Sequence, residues 1–242
     1  MCTASWFLTD SGYQLFFNRD ELRSRAKARL PACFMDDGSK YLMPVDPQGG
    51  GSWIVTNEYG VTVCLLNYYQ GYFALFSGTS RGGLVKMLAS SRSLDEAKEK
   101  LAQHDVSSYS PFSLFLFGHA LDTEKPLVEG VRWTGREMEA LDSTYPMVTS
   151  SIAYNEVYPL RREAYENIVR GDASIDKNIR FHKSHSPSKS YRSVCMHRPE
   201  AKTMSFTHVE VDKNGVTMNY IDGSPCEVEE SHRLFLARTG AE

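Results

Sequence analysis

The sequence has no long apolar run, no closely spaced cysteine pair and almost no excess of charge, and each lack excludes a class of protein. A membrane-spanning helix needs about 20 consecutive apolar residues. The greasiest stretch, Phe112 to Leu121, is broken by Ser113, Gly118 and His119, so no stable membrane insertion is expected. Met1-Cys2-Thr3-Ala4-Ser5-Trp6 has no cationic segment leading into an apolar core, and Asp10 falls where a secretory signal would stay hydrophobic. A cytoplasmic location is the expectation. Lys and Arg number 27 against 30 Asp and Glu, a formal net charge of −3, which supplies no global field for nucleic acid or an anionic surface.

Cys2, Cys33, Cys64, Cys195 and Cys226 are odd in number and contain no C-x-x-C pair, which fits neither a disulfide framework nor a zinc ribbon. They read as free thiols, Cys64 and Cys195 as small core residues. His182 and His185 stand three apart and Cys195 and His197 two apart, but neither pair reaches the three or four ligands that zinc requires. No metal site is expected. Nothing singles out a haem ligand among the histidines and tyrosines, and Gly49-Gly50-Gly51 lacks the Lys-Ser/Thr and following helix of a phosphate loop. No cofactor is expected.

What is present is the composition of a packed protein, with 41% hydrophobic residues, and no linker divides it, so one domain over residues 1–242 is expected. Strand-like runs Thr3–Thr9 and Tyr13–Asn18 flank the turn cluster Asp10-Ser11-Gly12, and a second hairpin is read over Ser52–Thr56 and Val61–Asn67. Helical spacing over Arg81–Ser91 is followed by Ser93 with Glu96 three residues on, a capping box. Phe112–Ala120 is apolar on both faces, so its sheet needs a layer on each side. Further strands are read at Leu127–Trp133, Arg192–His197, Met204–Val211 and Val216–Ile221, a helix over Pro159–Val169 closed by Gly171, and a surface loop over Lys183–Ser193. The architecture expected is two mainly antiparallel sheets with helices outside them.

If the first hairpin closes around Asp10 to Gly12, antiparallel pairing sets Cys2 beside Arg19 and Asp20, close enough for a guanidinium to lower the pKa of a thiol. The same arithmetic in the second hairpin puts Asn67 near Gly50 and Gly51, an amide and bare backbone N–H groups that could bind an oxyanion. Cys2 follows the initiator methionine, whose trimming is expected before a small residue. Cys2 would then carry an α-amine of pKa about 7.7–8.0 that can serve as base for its own thiol.

Met1-Cys2-Thr3, Phe17-Asn18-Arg19-Asp20-Glu21, Gly50-Gly51-Ser52-Trp53, Leu66-Asn67-Tyr68 and Ser80-Arg81-Gly82, in that order over the first third of the chain, resemble the NRDE proteins, the transport and Golgi organization protein 2 family. The resemblance implies an α+β fold, the four-layer αββα sandwich of N-terminal nucleophile hydrolases. By similarity to the cysteine branch of those hydrolases, Cys2 is the nucleophile, Arg19 its electrostatic neighbour, Asn67 an oxyanion donor, Asn155 the candidate second asparagine, and Arg233 or Arg238 a late arginine completing the set. Asp20 would orient the α-amine; those enzymes place their aspartate three residues after the arginine, where this chain has Leu22.

The activity implied is hydrolysis of an amide or thioester of a small molecule. The competing reading is a carrier of a hydrophobic ligand, haem or an acyl-CoA-like lipid, on the same fold. A third is a serine hydrolase, since Gly78-Thr79-Ser80-Arg81-Gly82 matches G-x-S-x-G between the apolar run Tyr72–Phe76 and a helical run. That elbow requires a parallel sheet, against the hairpins read here; the simpler role for Ser80 is a helix N-cap.

Overall fold

In the computed structural model the residues described are 1–72, 78–119, 126–142 and 144–239. The chain runs through β1 (Cys2–Thr9), β2 (Gly12–Leu22), β3 (Arg29–Asp36), β4 (Ser39–Val45), β5 (Ile54–Asn57) and β6 (Thr62–Asn67), then α1 (Gly82–Met87) and α2 (Leu94–Gln103). It continues with β7 (Phe112–His119), β8 (Pro126–Trp133), β9 (Met138–Leu141), β10 (Met147–Thr149), α3 (Tyr154–Val169), α4 (Ile175–Lys183), β11 (Ala201–Val211), β12 (Gly215–Ile221) and β13 (His232–Ala237). One sheet has the order β10-β1-β2-β11-β12-β13, the other β3-β4-β5-β6-β7-β8-β9, and each pairing of these strands is antiparallel.

The sheets face each other across a core that includes Trp6, Tyr13, Phe17, Leu66, Phe115 and Phe117. Helices α1 and α2 cover the outside of the seven-stranded sheet through Leu84, Leu88, Leu94 and Leu101. Helices α3 and α4 cover the six-stranded sheet. The layers are therefore α, β, β, α. Strand β7 shows why: Phe115 and Phe117 enter the inter-sheet core while Phe112, Leu114 and Leu116 meet the helices, so alternation sends apolar side chains to both faces. Ser93 caps α2 by accepting the Glu96 N–H, but Glu96 reaches back to the Arg92 N–H, one residue short of a closed capping box.

Three local readings are corrected. Helix α3 begins at Tyr154, with Pro159 inside it; buried Val157 and Arg161 pull the first turns onto the sheet, which outweighs the hydrogen bond proline cannot make. Residues 192–197 form no strand: Val194, Cys195 and Met196 are buried in succession, and the N–H groups of Cys195 and His197 go to Ser184 and Ser190 carbonyls. Ser80 is no N-cap, because the cap of α1 is Arg81 and carries no side-chain bond. Among the described residues no helix is long and apolar enough to cross a membrane.

Two buried histidines sandwich Phe16 under α4, His208 at 4.5 Å between ring centroids and His182 at 6.1 Å. Desolvation lowers His182 to about 3 and His208 to about 4. Both remain neutral in the folded chain below pH 6.5 while the unfolded chain takes up protons, so stability is full above pH 6.5 and falls as pH drops towards 4. The expected slope is about 1.4 kcal/mol per pH unit for each histidine. Denaturant midpoints between pH 7 and 4.5 check this: His208→Gln should reduce the slope by up to about 1.4 kcal/mol per pH unit, and an unchanged slope contradicts it.

Candidate active site

The register of the first hairpin places Cys2 opposite Arg19, as turn arithmetic expects, and on the other side Cys2 faces Thr149 of β10. The Cys2 N–H donates to Thr149 Oγ1 at 3.0 Å. Cys2 is buried yet lies at the wall of a cavity of about 550 Å³ lined by residues of both sheets. Burial pushes the Cys2 thiol up, outweighing the terminal amine and Arg19, and Asp20 adds to the rise. Arg19 does pull the thiol's pKa down, as its place beside Cys2 leads one to expect, but burial outweighs it, so in the Met1-bearing chain the Cys2 thiol needs a base.

Alternation along β2 explains the polar run from Asn18 to Glu21. Arg19 and Glu21 project into the cavity, where Glu21 pairs with Arg19 at 3.3 Å and with Arg25 at 3.7 Å, and the Arg19 guanidinium lies 4.3 Å over the Trp53 ring. Asn18 and Asp20 serve the helical side. Asn18 Nδ2 donates to the carbonyls of His182 and Val194. Asp20 Oδ2 is 3.3 Å from Arg161 of α3, and Asp20 Oδ1 accepts from Thr203 at 2.7 Å. Both partners of this ion pair are fully buried; burial pushes the Asp20 carboxyl up, with Arg161 the main opposing influence. Arg161 also donates to Thr3 Oγ1 and to the carbonyls of Tyr191 and Arg192. The Asp20 backbone, rather than its carboxylate, meets the chain start: its carbonyl accepts from the Met1 amine and its N–H donates to the Met1 carbonyl.

Asn67 ends β6 at the cavity and donates through Nδ2 to the Tyr69 hydroxyl at 3.1 Å, which also accepts from the Met1 amine at 3.2 Å. Gly51 and Gly82 complete that wall because their backbones touch. A Cβ on Gly51 would lie 2.2 Å from the Gly82 carbonyl carbon, so only glycine lets the two segments meet. Arg81 lines the same cavity, its guanidinium donating to the Pro111 carbonyl, and burial lowers its pKa.

The structure thus brings together Cys2, Arg19, Asp20 and Asn67. It does not bring Asn155, which is exposed in the first turn of α3, pointing away from the face that Val157 and Arg161 bury. Arg233 is exposed on edge strand β13, and Arg238 bonds the Asp212 carbonyl near Gly60, so neither late arginine lines the cavity. The extra cations there are Arg25 and Arg81. Ser80 does line the cavity, but the antiparallel strand pairs exclude the elbow geometry; most of the apolar run before it, residues 73–77, lies outside the described residues. Sequence reasoning missed Thr149, Tyr69 and Arg161; an arginine at a core-facing helical position, with Val157, Ala164 and Tyr165, is the one signal that could have found Arg161.

Folding also assembles the histidines and cysteines that sequence spacing left as two incomplete pairs. His185, Cys195, His197 and Cys226 place one ligand atom each within 4.8 Å of one another. Two pairs too small alone are united by folding, with Cys226 arriving from the turn after β12.

An αββα sandwich of two antiparallel sheets is the fold of the N-terminal nucleophile hydrolases. An N-acylethanolamine-hydrolyzing acid amidase (NAAA) ortholog from Caenorhabditis elegans superposes with a TM-score of 0.57 over 86% of this chain and 92% of that chain, at 10% identity. The conjugated bile acid hydrolase from Clostridium perfringens, in two variant forms, gives TM-scores of 0.47 and 0.44 at 11% and 12% identity, over 99% and 98% of this chain and 97% of each hydrolase. Among curated proteins no sequence match was found. The chain belongs to the Transport and Golgi organisation 2 family, whose model matches residues 1–222.

Proposed function

We propose that the chain is an N-terminal cysteine hydrolase that cleaves a small amide or thioester after Met1 is removed. The observation that carries this reading is the placement of Cys2 on the wall of a cavity shared with Arg19 and Asn67, with its backbone nitrogen held by Thr149. With Met1 gone, that nitrogen is a free amine. It takes the thiol proton as Cys2 Sγ attacks the substrate carbonyl, and the Asn67 amide stabilises the oxyanion. The amine then protonates the leaving amine or thiol as the carbon–leaving group bond breaks. Water, deprotonated by the same amine, releases the acid from the acyl-enzyme and regenerates the thiol. Before that removal, Met1 packs on Met196 and Ala201 and its amine donates to the Tyr69 hydroxyl of the cavity wall.

A haem or lipid carrier needs a mainly apolar enclosure. Here the large apolar side chains on the cavity wall, among the described residues, are Trp53 and Leu65, and the rest is mostly charged, neutral polar or glycine. This favours the hydrolase over the carrier. Asp20 is matched by Arg161, and Arg19 and Arg25 share Glu21 and Asp46, which leaves Arg81 with no carboxylate partner among the described residues. The substrate is therefore one with a negative charge for Arg81 to meet.

Acid-quenched mixtures of processed protein with acyl amides and acyl thioesters test the reaction directly. An acyl mass increment on the Cys2 peptide is expected, and its absence across substrates that are turned over overturns the assignment of nucleophile. Arg81→Gln should raise KM for an anionic substrate roughly 10- to 100-fold, the worth of one charge-assisted hydrogen bond, and leave a neutral analogue little changed. Equal effects on both would assign Arg81 a structural role.

A further inference from the structure

We propose that His185, Cys195, His197 and Cys226 form a tetrahedral zinc site that fixes the segment behind the Asp20–Arg161 pair. Cys195 Sγ is 3.2 Å from Cys226 Sγ, His197 Nε2 is 3.2 Å from Cys226 Sγ and 3.7 Å from Cys195 Sγ, and the His185 and His197 rings stand 5.2 Å apart. A tetrahedron with Zn–S near 2.3 Å and Zn–N near 2.0–2.1 Å has edges of roughly 3.3–3.8 Å, close to the three donor separations among Cys195, His197 and Cys226, and the His185 donor lies within 4.8 Å of the others. Two imidazoles and two thiols are a donor set that suits zinc rather than a hard cation.

The surroundings are those of a ligand shell. His185 Nε2 is buried and has no hydrogen-bond partner among the described residues. His197 presents Nε2 to the thiols while Nδ1 lies 3.7 Å from Glu227 Oε1, the carboxylate–histidine arrangement that holds a metal-bound imidazole in one orientation. Glu227 is held in turn by Lys189 at 2.9 Å and Lys202 at 3.4 Å. Three separate segments converge through one backbone and two side-chain hydrogen bonds: Cys195 N–H to the Ser184 carbonyl, Met196 N–H to Thr203 Oγ1, and Ser224 Oγ to the Thr203 carbonyl.

Residues 184–197 contain no helix or strand of their own, so a metal supplies the cross-link that secondary structure does not. The same segment offers the Tyr191 and Arg192 carbonyls to Arg161, and Thr203 bonds Asp20. The site is distinct from the cavity of Cys2, whose lining includes none of the four ligands.

The test uses the full chain purified under reducing conditions without added chelator. Elemental analysis should find one zinc per chain, and after stripping, cobalt should bind with the intense visible bands of tetrahedral coordination and a thiolate charge-transfer band. Cys226→Ser and, separately, His185→Asn should lose the zinc, Cys2→Ala should keep it, and stripping should lower Tm in the parent chain but not in Cys226→Ser. A reduced parent chain that takes up no zinc, an octahedral cobalt spectrum, zinc retained by both ligand variants, or a Cys195–Cys226 disulfide in a zinc-free isolate would overturn the proposal.

Discussion

Cys2→Ala is expected to lower turnover of an amide or thioester substrate by roughly 10⁴-fold or more while leaving the fold intact, because the proposed mechanism forms its acyl-enzyme on the Cys2 thiol. The two effects separate cleanly in this structure. Removing one buried sulfur at the end of β1 costs about 1 kcal/mol of packing, whereas the β1–β2 register is carried by backbone pairs from Cys2–Arg19 to Thr9–Gly12 that alanine preserves. Far-UV circular dichroism and Tm should therefore stay close to those of the parent. Turnover that survives in Cys2→Ala would move the chemistry elsewhere, and Ser80 would be the next nucleophile to replace since it lines the same cavity.

Arg161→Leu is expected to destabilise the fold by about 3–5 kcal/mol, the cost of stranding a buried carboxylate. Asp20 has no exposure to recover solvent, and Thr203 alone would remain to its carboxylate. The leucine also abandons Thr3 Oγ1 and the carbonyls of Tyr191 and Arg192, so β1, β2 and the segment before β11 loosen together. Combining Arg161→Leu with Asp20→Asn should recover part of the loss, since the second change removes the stranded charge; the coupling is read from denaturant midpoints in a double-mutant cycle. Additive losses would mean that the pair contributes by packing alone.

The placement of Cys2 beside Arg19 was legible in the sequence because a hairpin with a tight turn fixes every opposed pair, and Asp10-Ser11-Gly12 marks that turn plainly. The double-sided β7 was legible for a similar reason: a run apolar at every position demands two covering layers. The edge strands were not. β3 is exposed at most positions and β13 only partly buried at alternate ones, so neither shows the strong contrast that marks a half-buried strand. The pairing of β2 with β11 joins residues nearly two hundred positions apart, and no local pattern specifies it. Arg161, Thr203 and Thr149 reach the site only through long-range contacts of this kind, as do the segments that carry His185, Cys195, His197 and Cys226, which is why residue spacing yields only two incomplete pairs. Asp20 shows the converse limit. Its position was correctly placed beside Cys2, but alternation sends its side chain to the helical face, where Arg161 holds it.

The account rests on an unmasked, reactive Cys2. The direct measurement is intact mass of the purified full chain before and after a limiting dose of thiol alkylator at neutral pH, with peptide mapping of the label. The result expected is a chain lacking Met1 whose first label falls on Cys2, ahead of exposed Cys33. A chain that retains Met1, or a processed chain in which Cys33 reacts and Cys2 stays inert, would contradict the N-terminal nucleophile mechanism.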